Sequence, residues 1–190
     1  MKKIIVLNHK SYLNQKEAKK YAVDINDYIR SDQTVIICPS NVHIPFFSGK
    51  YNFYLGSQNI SAKNITGETT GELLKSSGVK YAIIGHHERI NNQIEAPKDI
   101  NEKIKEALKT NITPIIVIGE TFYEKELKKT GEIITKQLKT YLKDIDVKQD
   151  IIIAYEPNWT FEGKQIPTQK HIYEVVDLIK NIIKRKLSSV

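Results

Sequence analysis

Six short apolar runs, rich in β-branched residues, recur along the chain, and longer amphipathic stretches separate them. The runs cover residues 4–7, 35–38, 51–55, 81–84, 115–118 and 151–154. Unbroken runs of this kind are typical of strands buried on both faces, as in parallel sheets covered by helices. The pattern therefore predicts an α/β fold with a parallel sheet, either doubly wound or barrel-like.

Helical periodicity fills the stretches between the runs, with apolar residues recurring every three or four positions. Helices are predicted over residues 16–29, 100–108, 131–142 and 168–183, with a weaker one over 66–74 and a loop or single turn over 41–48. No linker or low-complexity tract divides the chain. We therefore expect a single domain over residues 1–190.

The charge and the single cysteine exclude several classes of protein. The net charge of +7 comes from interspersed residues, and without a basic stripe carrying aromatic residues we expect no nucleic-acid partner. No apolar run approaches the roughly 20 residues that a membrane span needs, so no membrane partner is expected. Cys38 follows three apolar residues, which indicates a buried thiol in a reducing, cytoplasmic location.

Polar residues follow four of the predicted strands. They are Asn8-His9-Lys10, Gly85-His86-His87-Glu88-Arg89, Gly119-Glu120 and Tyr155-Glu156-Pro157-Asn158-Trp159. In a parallel sheet these segments lie at the same edge, where α/β enzymes place their reactive groups. A cation, a histidine and a carboxylate at one edge make a candidate proton-transfer site.

Two of these residues suit acid–base chemistry. Glu156 lies at the top of an apolar strand, where partial desolvation favours a general base; the alternative is a structural carboxylate paired with an Arg or Lys. His86 follows a glycine and precedes a helix, which favours a neutral imidazole that donates a hydrogen bond. The alternative for His86 is a core histidine whose hydrogen bonds are satisfied within the fold.

The neighbouring polar residues allow further interpretations. Lys10 is a candidate clamp for an anionic substrate, with Asn8 orienting it, or else a solvent-facing lysine. We expect no metal site at His86 and His87, since neighbouring residues at a strand end point to opposite faces. The segment over 160–164 is either a lid over the site or an ordinary strand-to-helix connection.

In order and spacing, these four segments resemble the signature of the triosephosphate isomerase family. Gln58-Asn59 and Thr70-Gly71-Glu72 also match the family's third loop. The resemblance runs from residue 3 to about residue 185. It implies a (β/α)₈ barrel that interconverts dihydroxyacetone phosphate and glyceraldehyde 3-phosphate without a cofactor, in glycolysis and gluconeogenesis.

The same resemblance implies roles for individual residues. Glu156 resembles the base, His86 the neutral electrophile, and Lys10 the cation that neutralises the enediolate and phosphate, with Asn8 beside it. Glu88 would support Lys10, and Arg89 would pair with Glu72. The lid would comprise Trp159, Thr160, Phe161, Glu162, Gly163 and Lys164, and Gly163 would contact the substrate. A homodimer would form through the loop that begins at Gln58 and ends at Glu72.

The chain also departs from the family pattern. It has about six strand–helix units, whereas a complete barrel has eight and about 250 residues, so we expect the last two units to be missing. No Gly-Gly phosphate-binding segment follows residue 163, Glu162 adds a negative charge to the lid, and histidines stand at positions 9 and 87.

These departures leave two alternatives to the isomerase. One is a paralogue that acts on another short sugar phosphate. The other is a non-catalytic subunit that binds through its open sheet edge, because six strands leave the first and the sixth without a second neighbour. A second chain that completes the barrel is a further candidate partner.

Overall fold

The computed structural model describes residues 3–47, 51–93, 95–161 and 165–188. The chain divides into two compact units. The first comprises residues 1–84 and 105–114, and the second comprises residues 85–104 and 115–190. The single domain expected over residues 1–190 stays a prediction.

The first unit contains four parallel strands. Its elements are β1 (Lys3–Asn8), α1 (Gln15–Asn26), β2 (Gln33–Cys38), a 3₁₀ turn (Asn41–Phe46), β3 (Tyr54–Ser57), α2 (Gly71–Ser76) and β4 (Tyr81–Ile84). The register pairs Ile5 with Val35, Ile36 with Tyr54, and Gly56 with Tyr81. Strand order thus follows chain order, and the parallel pairing requires a crossover connection between successive strands.

The second unit contains most of the remaining elements. Along the chain these are α3 (His87–Gln93), α4 (Pro97–Lys109), β5 (Thr113–Ile118), α5 (Phe122–Glu126), α6 (Thr130–Tyr141), β6 (Ile152–Tyr155), a 3₁₀ turn (Asn158–Thr160) and α7 (Gln169–Ser188). The unit boundaries divide α4 after residue 104 and β5 after residue 114. β5 pairs with β6 in parallel, and α6 packs against α7.

Branched aliphatic residues form the core of each unit. In the first unit Ile36 and Ile37 of β2 are fully buried, and in the second Ile104 of α4 and Ile116 of β5 are fully buried. Each such side chain stabilises the fold by about 1.5–3 kcal/mol. Strands β2 and β5 are therefore buried on both faces, as their apolar runs predict, whereas β1 and β6 are only partly buried.

Several element boundaries differ from the sequence-based expectation; helix α4 begins at Pro97 rather than at residue 100, and α7 ends at Ser188 rather than at residue 183. The helix expected from residue 66 begins at Gly71, because Gly67 adopts a positive φ of 87° and the chain turns there. The strand expected from residue 51 begins at Tyr54, and the rings of Tyr51 and Phe53 before it stack on each other. Helix α1 ends at Asn26 rather than at residue 29.

The short helices α3 and α5 were not expected from the sequence. With seven and five residues respectively, they are too short to show a helical period. Among the helices of the described residues, none combines the length and the apolar character that crossing a bilayer demands.

Candidate active site

His86 and Glu156 face each other in the second unit. His86 follows β4 along the chain and Glu156 follows β6. The distance from His86 Nε2 to Glu156 Oε2 is 3.5 Å, and the two side chains are 8% and 29% exposed. The histidine and the carboxylate singled out from the sequence are therefore neighbours, largely shielded from water.

The backbone of Glu156 is held close to Gly119. The Glu156 N–H donates to the carbonyl of Ile118, at 2.8 Å. A Cβ at position 119 would lie 2.0 Å from the Glu156 carbonyl oxygen, so only glycine permits this approach. Glu156 Oε2 is buried and has no hydrogen-bond donor within the described residues. Such an oxygen keeps its lone pairs for an incoming ligand.

The tautomer of His86 is set by the turn that follows β4. Gly85 adopts a φ of 78°, a conformation that glycine tolerates without strain. The backbone N–H of Glu88 then donates to His86 Nδ1, at 3.2 Å. Because Nδ1 accepts this bond, the ring is neutral and its proton lies on Nε2, the nitrogen that faces Glu156.

His87 lies beside this pair. Its ring stacks on His86 with a centroid distance of 4.5 Å and on Phe161 with one of 4.4 Å. Its Nδ1 lies 3.5 Å from Glu156 Oε2. The expectation that the two histidines point to opposite faces is wrong, because β4 ends at Ile84 and α3 already begins at His87. His86, His87 and Glu156 are consequently the described residues grouped closely enough to hold a metal ion.

A hydrogen-bond network around Glu120 supports the start of the expected lid. Glu120 is fully buried and accepts from the Tyr155 hydroxyl and from Trp159 Nε1, each at 3.0 Å. His171 Nε2 lies 2.8 Å from the Tyr155 oxygen. Burial, the charge of Glu120 and the hydrogen bond to it all raise the pKa of Tyr155.

Sequence reasoning noted Glu120 only as a polar residue after a strand, and gave Tyr155 and His171 no role. An acidic residue directly after a fully apolar strand was the available signal, because a buried carboxylate needs donors. Nothing in the sequence identifies which donors those are.

The expected lid is described in part. Trp159 is buried at 1% exposure, while Phe161 is exposed. Between them, the Thr160 hydroxyl donates to the carbonyl of Pro157. The remaining lid residues, Glu162, Gly163 and Lys164, lie outside the described residues, and so does the expected substrate contact at Gly163.

Asn8 and Lys10 lie together in the first unit. The Lys10 N–H donates to Asn8 Oδ1 at 2.9 Å. The Lys10 carbonyl accepts from the hydroxyl of Ser40 at 2.9 Å and from Gln58 Nε2 at 2.7 Å. These bonds hold Lys10 at a φ of 48°, in the left-handed region. The backbone of Lys10 is therefore tied to the ends of three strands.

His9, which stands between Asn8 and Lys10 in the sequence, is directed into the first unit. It is buried and meets Tyr21 edge to face, with a centroid distance of 4.8 Å. Burial, followed by the nearby His43, lowers the pKa of His9. Position 9 thus carries a buried ring whose protonation is disfavoured.

Two of the three expected supporting residues, Glu88 and Arg89, have described neighbours in the second unit. Glu88 Oε2 lies 3.8 Å from His86 Nδ1, and Arg89 Nε donates to Glu95 Oε1. Glu72 lies in the first turn of α2 and is exposed. The support of Lys10 by Glu88 and the pairing of Arg89 with Glu72 stay predictions, because each would join residues of different units.

Comparison with known families identifies the family of this chain. The family model described as triosephosphate isomerase matches residues 3–190. The chain belongs to the triosephosphate isomerase family. The family therefore confirms the barrel type of α/β fold, and the described residues carry six of its strands.

Curated relatives named triosephosphate isomerase align along much of the chain. The protein from Mycoplasmopsis pulmonis is 35% identical over 158 residues, which cover 80% of this chain and 63% of that protein. The one from Mesomycoplasma hyorhinis is 39% identical, over 65% of this chain and 50% of that protein. The one from Natranaerobius thermophilus is 31% identical, over 98% of this chain and 77% of that protein. The chain thus spans between half and about three quarters of the length of these relatives.

Proposed function

We propose that this chain is an isomerase that interconverts dihydroxyacetone phosphate and glyceraldehyde 3-phosphate. Glu156 removes a proton from the carbon next to the substrate carbonyl, and the electron pair moves onto the carbonyl oxygen. His86 Nε2–H donates a hydrogen bond to that oxygen and stabilises the enediolate. Transfer of the hydroxyl proton from the first carbon to the former carbonyl oxygen, together with return of the carbon-bound proton to the former carbonyl carbon, gives the isomeric product, so no atom is gained or lost.

The arrangement of Glu156 Oε2 and His86 Nε2 carries this proposal. The carboxylate oxygen is buried and has no hydrogen-bond donor among the described residues, which suits a base. The Nε2 atom carries the proton of a neutral ring, because Nδ1 accepts from the backbone of Glu88. Because the two atoms lie 3.5 Å apart, they can contact neighbouring atoms of one small substrate.

Asn8 and Lys10 supply the anion-binding part of the proposal. The backbone of Lys10 is left-handed and is held by hydrogen bonds to Ser40 and Gln58, so the point from which the ammonium group extends is fixed. A cation at a strand end stabilises the phosphate and the enediolate through its charge. Trp159, anchored on Glu120, would start a lid that continues through Gly163 and keeps water from the intermediate.

Steady-state turnover of both triose phosphates, measured in a coupled assay, tests the proposal. Glu156→Gln keeps the shape of the side chain but removes the base, so kcat should fall by at least about 10²-fold. His86→Gln should also lower kcat, because it removes the oriented donor. Glu132→Gln, in an exposed position of α6, is the matched control and should stay within about twofold.

Wild-type turnover by Glu156→Gln would refute the assignment. A wild-type chain that folds but turns over neither triose phosphate would favour one of the alternatives. Turnover of another short sugar phosphate would indicate the paralogue, and no turnover of any would indicate the non-catalytic subunit.

We propose further that the chain is a cytoplasmic homodimer that associates through the loop from Gln58 to Glu72. Residues 62–68 of this loop are exposed, and among them Ile65 is an apolar side chain with 60% exposure. A buried free thiol at Cys38 suits a reducing compartment. Light scattering should give about twice the chain mass of 21.8 kDa; the monomer mass would refute the dimer.

A further inference from the structure

His86, His87 and Glu156 offer three ligand atoms to one point in the second unit. One ligand atom from each residue lies within 4.8 Å of the other two. Glu156 Oε2 is 3.5 Å from His86 Nε2 and 3.5 Å from His87 Nδ1. Tetrahedral zinc with bonds of about 2.0–2.1 Å places its ligand atoms about 3.4 Å apart. Two of the three separations already match this value.

Two of these ligand atoms are buried without a hydrogen bond. Glu156 Oε2 and His87 Nδ1 have no hydrogen-bond partner among the described residues. Leaving a buried polar atom unpaired costs about 1–3 kcal/mol. A bound cation relieves that cost at both atoms at once, and proton transfer through Glu156 and His86 does not involve His87.

The ring of His87 is also held in place. It lies between His86 and Phe161, with interplanar angles of 30° and 24° respectively. Stacking on both faces restricts rotation of the imidazole. Nδ1 therefore stays directed towards Glu156 without a hydrogen bond to hold it.

Ligation by His86 Nε2 requires the proton of the ring to move to Nδ1. Nδ1 now accepts from the Glu88 N–H, so this bond must break. The Glu88 carboxylate, with Oε2 3.8 Å from the same nitrogen, can accept the Nδ1 proton instead. A carboxylate behind a ligating histidine is the usual support of zinc sites.

We propose that His86, His87 and Glu156 form a binding site for Zn²⁺ or a similar first-row divalent cation. Two imidazole nitrogens and one carboxylate oxygen suit zinc, whereas Mg²⁺ and Ca²⁺ prefer all-oxygen ligands. Where the isomerase activity proposed above applies, this site is inhibitory. The cation takes the lone pair of the base and displaces the Nε2 proton, so metal binding and proton transfer exclude each other.

Calorimetric titration of the chelator-treated full chain with Zn²⁺ tests the site. We expect one Zn²⁺ per chain, and His87→Ser should weaken binding by at least about tenfold, since loss of even an outer-sphere partner commonly has that effect. His87→Gln and Glu156→Gln should weaken it similarly. His171→Gln is the matched control, because His171 Nε2 also lies 3.5 Å from a carboxylate, that of Glu120, but has no second histidine beside it.

X-ray absorption on the Zn²⁺-loaded wild type provides a readout that needs no variant. Two imidazole nitrogens on the metal support the proposal, and one or none overturns it. Failure to bind one Zn²⁺, or equal affinity of the wild type and a folded His87→Ser, also overturns it. Turnover is measured separately in chelator, so a failed metal site leaves the isomerase proposal standing, and an inactive chain leaves the metal result standing.

Discussion

Replacing Glu120 by glutamine tests whether a buried charge holds the start of the lid. The carboxylate is fully buried and accepts hydrogen bonds of 3.0 Å from Tyr155 and Trp159. Glutamine has nearly the same shape but a neutral oxygen and an amide group that donates. Both hydrogen bonds therefore have a neutral acceptor in place of a charged one, while the packing stays unchanged.

The expected loss can be estimated from those two hydrogen bonds. A hydrogen bond to a charged acceptor contributes about 1.5–3 kcal/mol, against about 0.5–1.5 kcal/mol for a neutral one. Over two bonds, Glu120→Gln should lower the free energy of unfolding by about 2 kcal/mol. For a chain of 190 residues this corresponds to a decrease of roughly 4–8 °C in Tm.

Urea unfolding followed by tryptophan fluorescence measures this loss directly, because Trp159 is the only tryptophan in the chain and lies in the network. Asp24→Asn is the control, since Asp24 is exposed on α1 and forms a surface ion pair with Lys20. It should change stability by less than about 1 kcal/mol. If Glu120→Gln proves as stable as Asp24→Asn, the charge of Glu120 does not hold Trp159.

Two further predictions concern Cys38 and its neighbour in β3. Burial raises the pKa of the Cys38 thiol from 9.0 to about 12, so between these pH values the unfolded chain loses a proton that the folded chain keeps. This group alone should lower the free energy of unfolding by about 1.4 kcal/mol per pH unit above pH 9. Urea midpoints measured from pH 8 to 10 should therefore fall less steeply with pH for Cys38→Ala than for the wild type. Equal slopes in the two proteins would contradict the raised pKa of Cys38. Gly56→Ala should destabilise by about 1–3 kcal/mol, because its Cβ would lie 2.5 Å from Cys38 Sγ. A double-mutant cycle should recover much of this loss in the Cys38→Ala background, and full additivity would show that the clash lies elsewhere.

The sequence predicted the strands better than the helix limits, for a physical reason. A strand buried on both faces must be apolar throughout, so runs such as residues 115–118 indicate β5 directly. Helix α2 lacks such a signal at its start. Its true beginning at Gly71 depends on a turn at Gly67 and on the Ser61 N–H donating to Thr69, neither of which has a periodic pattern.

The candidate site was predictable in its residues but not in its contacts. Position after a strand was enough to single out His86 and Glu156. The placement of His87 was not predictable, because the alternation of side chains along a strand no longer applies once Gly85 turns the chain into a helix. Two partners of Glu120, Tyr155 and Trp159, lie 35 and 39 residues away, and only the folded chain brings them together.

Lys10 lies where backbone geometry and side-chain chemistry call for different residues. Among the described residues, four other than glycine have a positive φ: Lys10, Asn111, Lys128 and Asp144. Asn and Asp tolerate that region, and Lys128 follows the last turn of α5, where helices commonly end this way. At position 10, asparagine or glycine would relieve about 1 kcal/mol of strain but would carry no charge. Stability alone would thus favour another residue here, and a lysine at this strained position is what the anion-binding role proposed for its ammonium group would require.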